Sequence, residues 1–207
     1  MVKKNPAPRT TAKPGSSPPG RIKIAEALKT LLKHKEFSAI TWADIAATAG
    51  VNEALIYKYF QDKRGLLHQV LEELMKIYID LVREDLAGRG DSLEKLGRVM
   101  EIHIREYDRD RVFARILLLE VRNFPGYFQS DTYGLVREYG RMVLEIIEQG
   151  IAAGELRPDL NAKAARQIIM GTIEHLCLPY VLYDREMPVA ELAGEARRIV
   201  LPGLKKI

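Results

Sequence analysis

From Arg21 onward the apolar residues recur at helical spacing, as in Ile24, Ala27, Leu28, Leu31 and Leu32. No alternating run with β-branched bias is long enough for a strand, so the pattern predicts an all-α protein. The helical pattern is interrupted at eight places, Lys35–Ile40, Gly50–Asn52, Gln61–Asp62, Gly88–Asp91, Tyr107–Arg109, Asn123–Gly126, Gly154–Leu160 and Tyr183–Pro188, all but the first of which carry Gly, Pro, Asp or Asn. Breaks there divide the chain into about nine helices. The first three are short and those after Lys63 are long, which predicts a small compact head on a helical body. No internal repeat marks a solenoid.

The stretch from Thr41 to Phe60 carries the most information. Thr41 with Asp44 three residues on approximates a capping box and marks a helix start. Ile45, Ala46 and Ala49 face inward, Gly50 supplies a left-handed turn, and Asn52 caps a second short helix. Two helices meeting across so short a turn form a helix-turn-helix. With Val51, Leu55 or Ile56, and Phe60 turned to the core, the second helix presents Glu53, Ala54, Tyr57 and Lys58 outward. The early residues of such a helix read base edges in a major groove. Lys58 can reach a guanine or a phosphate, Ala54 a thymine methyl, and Glu53 a cytosine amino group. Thr41, Tyr57, Tyr59 and Lys63 suit phosphate oxygens, and Asn52 at the helix start completes the candidate set.

Charge distribution fits that reading. Residues 1–67 hold 12 basic against 5 acidic residues, net +7, whereas the remainder holds 20 against 23, net −3, within an overall +4. A basic first third points to a polyanionic partner. Residues 1–20 contain five of the ten prolines and almost nothing that can pack, which predicts a disordered basic arm. The head then spans 21–67 and the body 68–207. A single cysteine, Cys177, excludes a disulfide framework or a cysteine-rich zinc site. The most apolar run, Ile116–Leu119, stops at Glu120, so no membrane span is expected and the cytoplasm is the expected address. His103 and His175 with Glu174 lack the short spacing of a metal site. No phosphate loop, nucleophile elbow or serine–base arrangement is present, so neither a cofactor nor a catalytic activity is expected.

Residues 24–67 resemble the DNA-binding head of the TetR family of bacterial transcriptional repressors. The resemblance rests on Ile24, Ala27, Leu28, Leu31, Leu32, Phe37, Thr41, Asp44-Ile45-Ala46, Ala49-Gly50-Val51, Ile56-Tyr57-Lys58-Tyr59-Phe60, Lys63 and Leu66-Leu67. Two departures are Glu36, where the family usually has glycine, and Ala54-Leu55, where Gly-Thr is common. The resemblance implies a homodimer that binds a near-palindromic operator, with a body that dimerises and encloses an effector pocket.

Residue physics in the body agrees in part. Ala165, Ile168, Gly171 and Thr172, and later Ala193 and Ala196, set small residues beside branched ones on two long helices. Such faces pack closely, and two from each chain would make a four-helix dimer seam. Phe113, Leu117 and Glu120 share a helical face at i, i+4 and i+7. That places a carboxylate on an apolar stripe, where Arg115, Arg122, Arg137 or His175 could neutralise it, or where it could orient a ligand. With Arg122 and Asn123 these are the candidate effector residues. Residues 115–123 together with Gly150, Gly154-Glu155, Asp159, Ala165, Gln167, Ile169 and Gly171-Thr172-Ile173-Glu174 are similar to the branch of the family that represses fatty-acid degradation genes and responds to acyl-coenzyme A. The expected function is therefore a repressor released by a small hydrophobic effector such as acyl-CoA. A helical carrier or enzyme with a vestigial head is the alternative, and an architectural DNA binder without effector a third.

Overall fold

The computed structural model describes residues 18–88 and 90–206. The expected arm therefore lies outside the described residues up to position 17. Its last residues are not arm-like: α1 begins at Pro19 and runs to Leu32. Proline at the first helical position loses no hydrogen bond and has its φ preset, so the helix starts two residues before the expected Arg21.

The head comprises α1, α2 (Trp42–Ala49) and α3 (Glu53–Tyr59). Ile24, Ala25, Ala27, Leu28 and Leu32 form the buried face of α1 and pack on Ile45 and Ile56, which are fully buried. Each expected stop and start is present. Thr41 accepts from the Asp44 amide at 3.1 Å while Asp44 accepts from the Thr41 amide at 2.9 Å. The Thr41 amide, Lys35 at 2.9 Å and the Thr41 hydroxyl, all donating to it, hold the Asp44 carboxyl down at about 2. Gly50 ends α2 at φ +63°, a conformation that a β-carbon disfavours. Asn52 Oδ1 then accepts from the Leu55 amide at 2.9 Å and opens α3.

Helix α4 (Lys63–Leu86) runs through the position where the sequence divides head from body. Its 24 residues, at 1.5 Å each, span about 36 Å. The body adds α5 (Ser92–Arg109), α6 (Arg111–Arg115), α7 (Asp131–Ala152), α8 (Ala162–Leu182) and α9 (Val189–Val200). Among the described residues there are thus nine α-helices and no strand. Helix α5 is central, packed against α7, α8 and α9, while α4 lies on α7 and α1. After α6 the chain winds one π-helical turn, Ile116–Glu120, in which the Val121 amide donates to the Ile116 carbonyl at 3.2 Å.

The end of α7 fits against the start of α5 at Gly150. A β-carbon there would sit 2.6 Å from Ser92 Cβ and 2.8 Å from Leu156 Cγ. Gly150→Ala should therefore destabilise the protein by about 1–3 kcal/mol, the range for overpacking a closed site. A shift in the urea midpoint at unchanged m-value would register it; an unchanged midpoint would mean the contact relaxes freely.

Candidate functional site

On α3 the structure separates inward from outward residues as the spacing predicts. Ile56 and Phe60 are buried, whereas Asn52, Glu53, Ala54, Tyr57 and Lys58 are exposed. Trp42, which sequence reasoning missed, meets the Tyr57 ring edge-on with centroids 5.6 Å apart and so orients it. Its signal was its place as the chain's one tryptophan at the first position of α2. Tyr59 is only half-buried and stacks toward Lys58, whose Nζ lies 6.0 Å from its ring. Two expected phosphate ligands are committed elsewhere. Thr41 Oγ is engaged with Asp44, accepting from its amide and donating to its carboxylate at 2.9 Å. Lys63 is a correction: its ammonium donates to the Phe37 and Ile40 carbonyls at 2.8 and 2.6 Å and sits 4.6 Å from the Phe37 ring centre. Two of its three donors thus close the turn between α1 and α2, and burial, with Arg64 alongside, lowers its pKa.

In the body, Phe113 and Leu117 are buried, as expected for an apolar stripe. Glu120 is half-buried and its pKa is raised, chiefly by desolvation and by Glu36; Arg115, Arg64 and Lys63 oppose the rise. Of the expected partners only Arg115 acts on it, and Arg115 itself pairs with Glu36 of the head. Arg122 instead grips Glu174 on α8 through two hydrogen bonds of 2.7 and 2.9 Å, and donates to the Leu117 carbonyl at 3.1 Å. Asn123 donates to the Leu119 carbonyl at 3.2 Å. Both side chains therefore finish the π turn, and the ligand set of the sequence reading is not brought together around one point. Between α1 and α6 lies a groove of about 490 Å³ whose lining sets Lys29, Lys33, Arg109, Arg111 and Arg115 against Glu26, Asp110 and Asp184. The sequence reading also missed a polar cluster inside the body, where the Tyr78 hydroxyl donates to Tyr139 at 2.8 Å and Tyr139 lies 3.1 Å from His103 Nδ1.

Residues 24–70 match the bacterial regulatory proteins of the tetR family, and residues 71–203 match the C-terminal region of YsiA-like proteins. The chain belongs to the TetR family. The fatty acid metabolism regulator protein of Bacillus subtilis is 25% identical over 186 residues, covering 90% of this chain and 96% of that one. The structure of the transcriptional regulator FadR from Bacillus subtilis in complex with stearoyl-CoA is similar at a TM-score of 0.80 and 26% identity, covering 88% of this chain and 98% of that one. The transcriptional repressor KstR2 of Mycolicibacterium smegmatis is 24% identical over 167 residues, 80% of each chain. As a TetR-family member this protein is a helix-turn-helix transcriptional regulator and not an enzyme.

A TetR-family body needs a face for its second copy, and here the sequence reading is partly corrected. Ala165, Ala193 and Ala196 are buried within their own chain, against the core that α5 centres. Small residues there let α8 and α9 approach that core, so they are not available to a partner. Ile168 and Gly171 do lie on the open side, and Thr172 is half-buried. Ile168 is 59% exposed and Ile199 on α9 67%, and a β-carbon at Gly171 would meet nothing within 4 Å. Ile199 belongs with Ala193 and Ala196 to the last-helix run that the sequence marks, and only packing separates it from them, because helical period alone does not say which apolar face turns inward. Among the described residues no helix is long and apolar enough to cross a membrane.

Proposed function

We propose that this protein is a homodimeric repressor that holds a near-palindromic operator through α3 and is released by a long-chain acyl-CoA. The observation that carries the DNA part is the exposed set Glu53, Ala54, Tyr57 and Lys58, presented by a helix whose start and preceding turn are fixed by Asn52 and Gly50. Lys58 and Tyr57 are the base- and phosphate-contacting residues, with Asn52 at the start of α3. The outer faces of α8 and α9 around Ile168, Gly171 and Ile199 form the dimer seam. Such a regulator works in the cytoplasm, where its operator is.

The effector part is supported by the likeness to FadR bound to stearoyl-CoA and by the buried stripe of Phe113 and Leu117, which offers an alkyl chain an apolar wall. The groove beside α6, with five cations against three carboxylates, is the nearest net-positive lining for the phosphates. Release follows if the acyl-bound body favours a head spacing that misfits the operator, since only differential affinity shifts the equilibrium. The link is short. The segment after Phe113 carries Arg115, paired with Glu36 of the head, and Phe124, on which Arg64 of α4 stacks at 4.9 Å.

The test is operator titration with a duplex selected from random sequence. Affinity should fall steeply with salt, Lys58→Ala should cost about 1–3 kcal/mol and relax preference at the bases it reads, and stearoyl-CoA should lower affinity further. A salt-independent affinity, or one indifferent to Lys58, would remove α3 as the reading helix; indifference to stearoyl-CoA would remove the acyl effector alone.

A further inference from the structure

The interior of the body holds two hydrogen-bonding groups that nothing around them satisfies. His103 and Tyr107 stand four residues apart on α5, 2% and 0% exposed, with rings edge-to-face at 4.5 Å. Among the described residues neither His103 Nε2 nor the Tyr107 hydroxyl has a hydrogen-bond partner. Buried polar groups are almost always paired, because leaving one unpaired forfeits its hydration without return. Two such groups on touching rings leave two unmet hydrogen bonds within one small region of the interior.

The surrounding bonds determine what a partner for both groups must offer. The Tyr139 hydroxyl accepts from Tyr78 and lies 3.1 Å from His103 Nδ1, the acceptor toward which we orient its own O–H. An imidazole that accepts at Nδ1 carries its proton on Nε2 when neutral. Burial keeps it neutral, lowering the His103 pKa to about 4. Nε2–H is therefore a donor, and the Tyr107 hydroxyl is a second. One atom that accepts from both and brings no proton of its own is a carbonyl oxygen. A carboxylate fits poorly, since the walls here are Tyr78 and Phe113, and the nearby cation Arg122 is already neutralised by Glu174.

We propose that His103 Nε2–H and Tyr107 O–H form a two-donor clamp for the carbonyl oxygen of a neutral acyl group, the thioester carbonyl of the effector. Tyr78 and Tyr139 act as positioning residues that fix the imidazole tautomer. The clamp rests on the acyl reading above and adds to it the group that distinguishes an acyl ligand from a plain alkyl one.

Calorimetry with stearoyl-CoA and with S-octadecyl-CoA, in which a methylene replaces the carbonyl, separates the two ideas. The parent protein should bind the thioester about tenfold or more tightly than the thioether, the two buried hydrogen bonds together being worth about that factor. Tyr107→Phe should narrow that difference by weakening the thioester alone, the His103 donor remaining in place. The same variant, free of ligand, should melt no lower than the parent, because it loses a buried hydroxyl that has no partner. Equal binding of both ligands by the parent overturns the clamp and leaves the acyl effector standing. Binding of neither overturns both. A lower melting temperature in Tyr107→Phe, or an undiminished thioester preference, would mean the hydroxyl is satisfied inside the protein and would equally overturn the clamp.

Discussion

Ile168→Asp should leave a folded chain that no longer pairs with a second copy and binds its operator at least a hundredfold more weakly. The side chain is 59% exposed in the single chain, so the carboxylate stays hydrated and folding stability should change by less than about 1 kcal/mol. In a two-fold seam the same substitution enters twice, and each buried unpaired charge costs about 3–5 kcal/mol. Loss of pairing then removes the avidity of two heads on one palindrome, a factor of about 10²–10⁴. Gly171→Leu is the uncharged companion. A β-carbon there meets nothing within 4 Å in its own chain, so a cost to pairing points to the partner. Sedimentation equilibrium over a concentration series and operator titration of the same samples give the two readouts. A dimer that persists in both variants would place the seam elsewhere, whereas a monomer that still binds the palindrome at parental affinity would show that pairing is not what delivers two heads.

The head was legible because what builds it is local. A capping box, a left-handed glycine and an asparagine cap each act within four residues, and all three stand where the spacing of Thr41, Asp44, Gly50 and Asn52 placed them. Lys63 was misjudged for the opposite reason. Its position at the start of α4 suits a phosphate, but the carbonyls of Phe37 and Ile40, more than twenty residues earlier, are brought to it only by tertiary closure.

The body hid more. The π turn at Ile116–Glu120 carries no sequence mark, yet it opens the turn by one residue and so alters what the i, i+4, i+7 spacing of Phe113, Leu117 and Glu120 means. Glu120 consequently faces the charges of the head, and Arg122 leaves it for Glu174. Burial on α8 and α9 was half legible: period identified both as two-faced, but Ala165 and Ile168 differ by about one turn and only the packing says which of them is inside. The cluster of Tyr78, His103, Tyr107 and Tyr139 draws on α4, α5 and α7, and of these only the His103–Tyr107 spacing was visible in sequence.

Acid should weaken this protein earlier than its carboxylates require, and His103 is the reason. Desolvation lowers its pKa to about 4 in the folded chain, against about 6.5 when unfolded. Between those values the unfolded chain takes up a proton that the folded chain refuses, so unfolding gains as pH falls. The stability that neutral His103 allows is fully present above about pH 6.5 and is lost progressively down to about pH 4, roughly 3 kcal/mol in all. Half-buried His68, also lowered by burial, adds in the same direction. Glu120 opposes them, because its raised pKa lets the folded chain bind a proton first as pH falls toward the carboxylate range. Asp44, held at about 2, loses its contribution mostly below this window. Urea unfolding at pH 7, 5.5 and 4.5 should show the decline in the parent, and His103→Phe, less stable at pH 7 through the lost bond from Tyr139, should show a much flatter profile. Parallel profiles would mean that His103 is protonated in the folded body. A proton would then sit on Nδ1 as well, in conflict with the direction of donation from Tyr139.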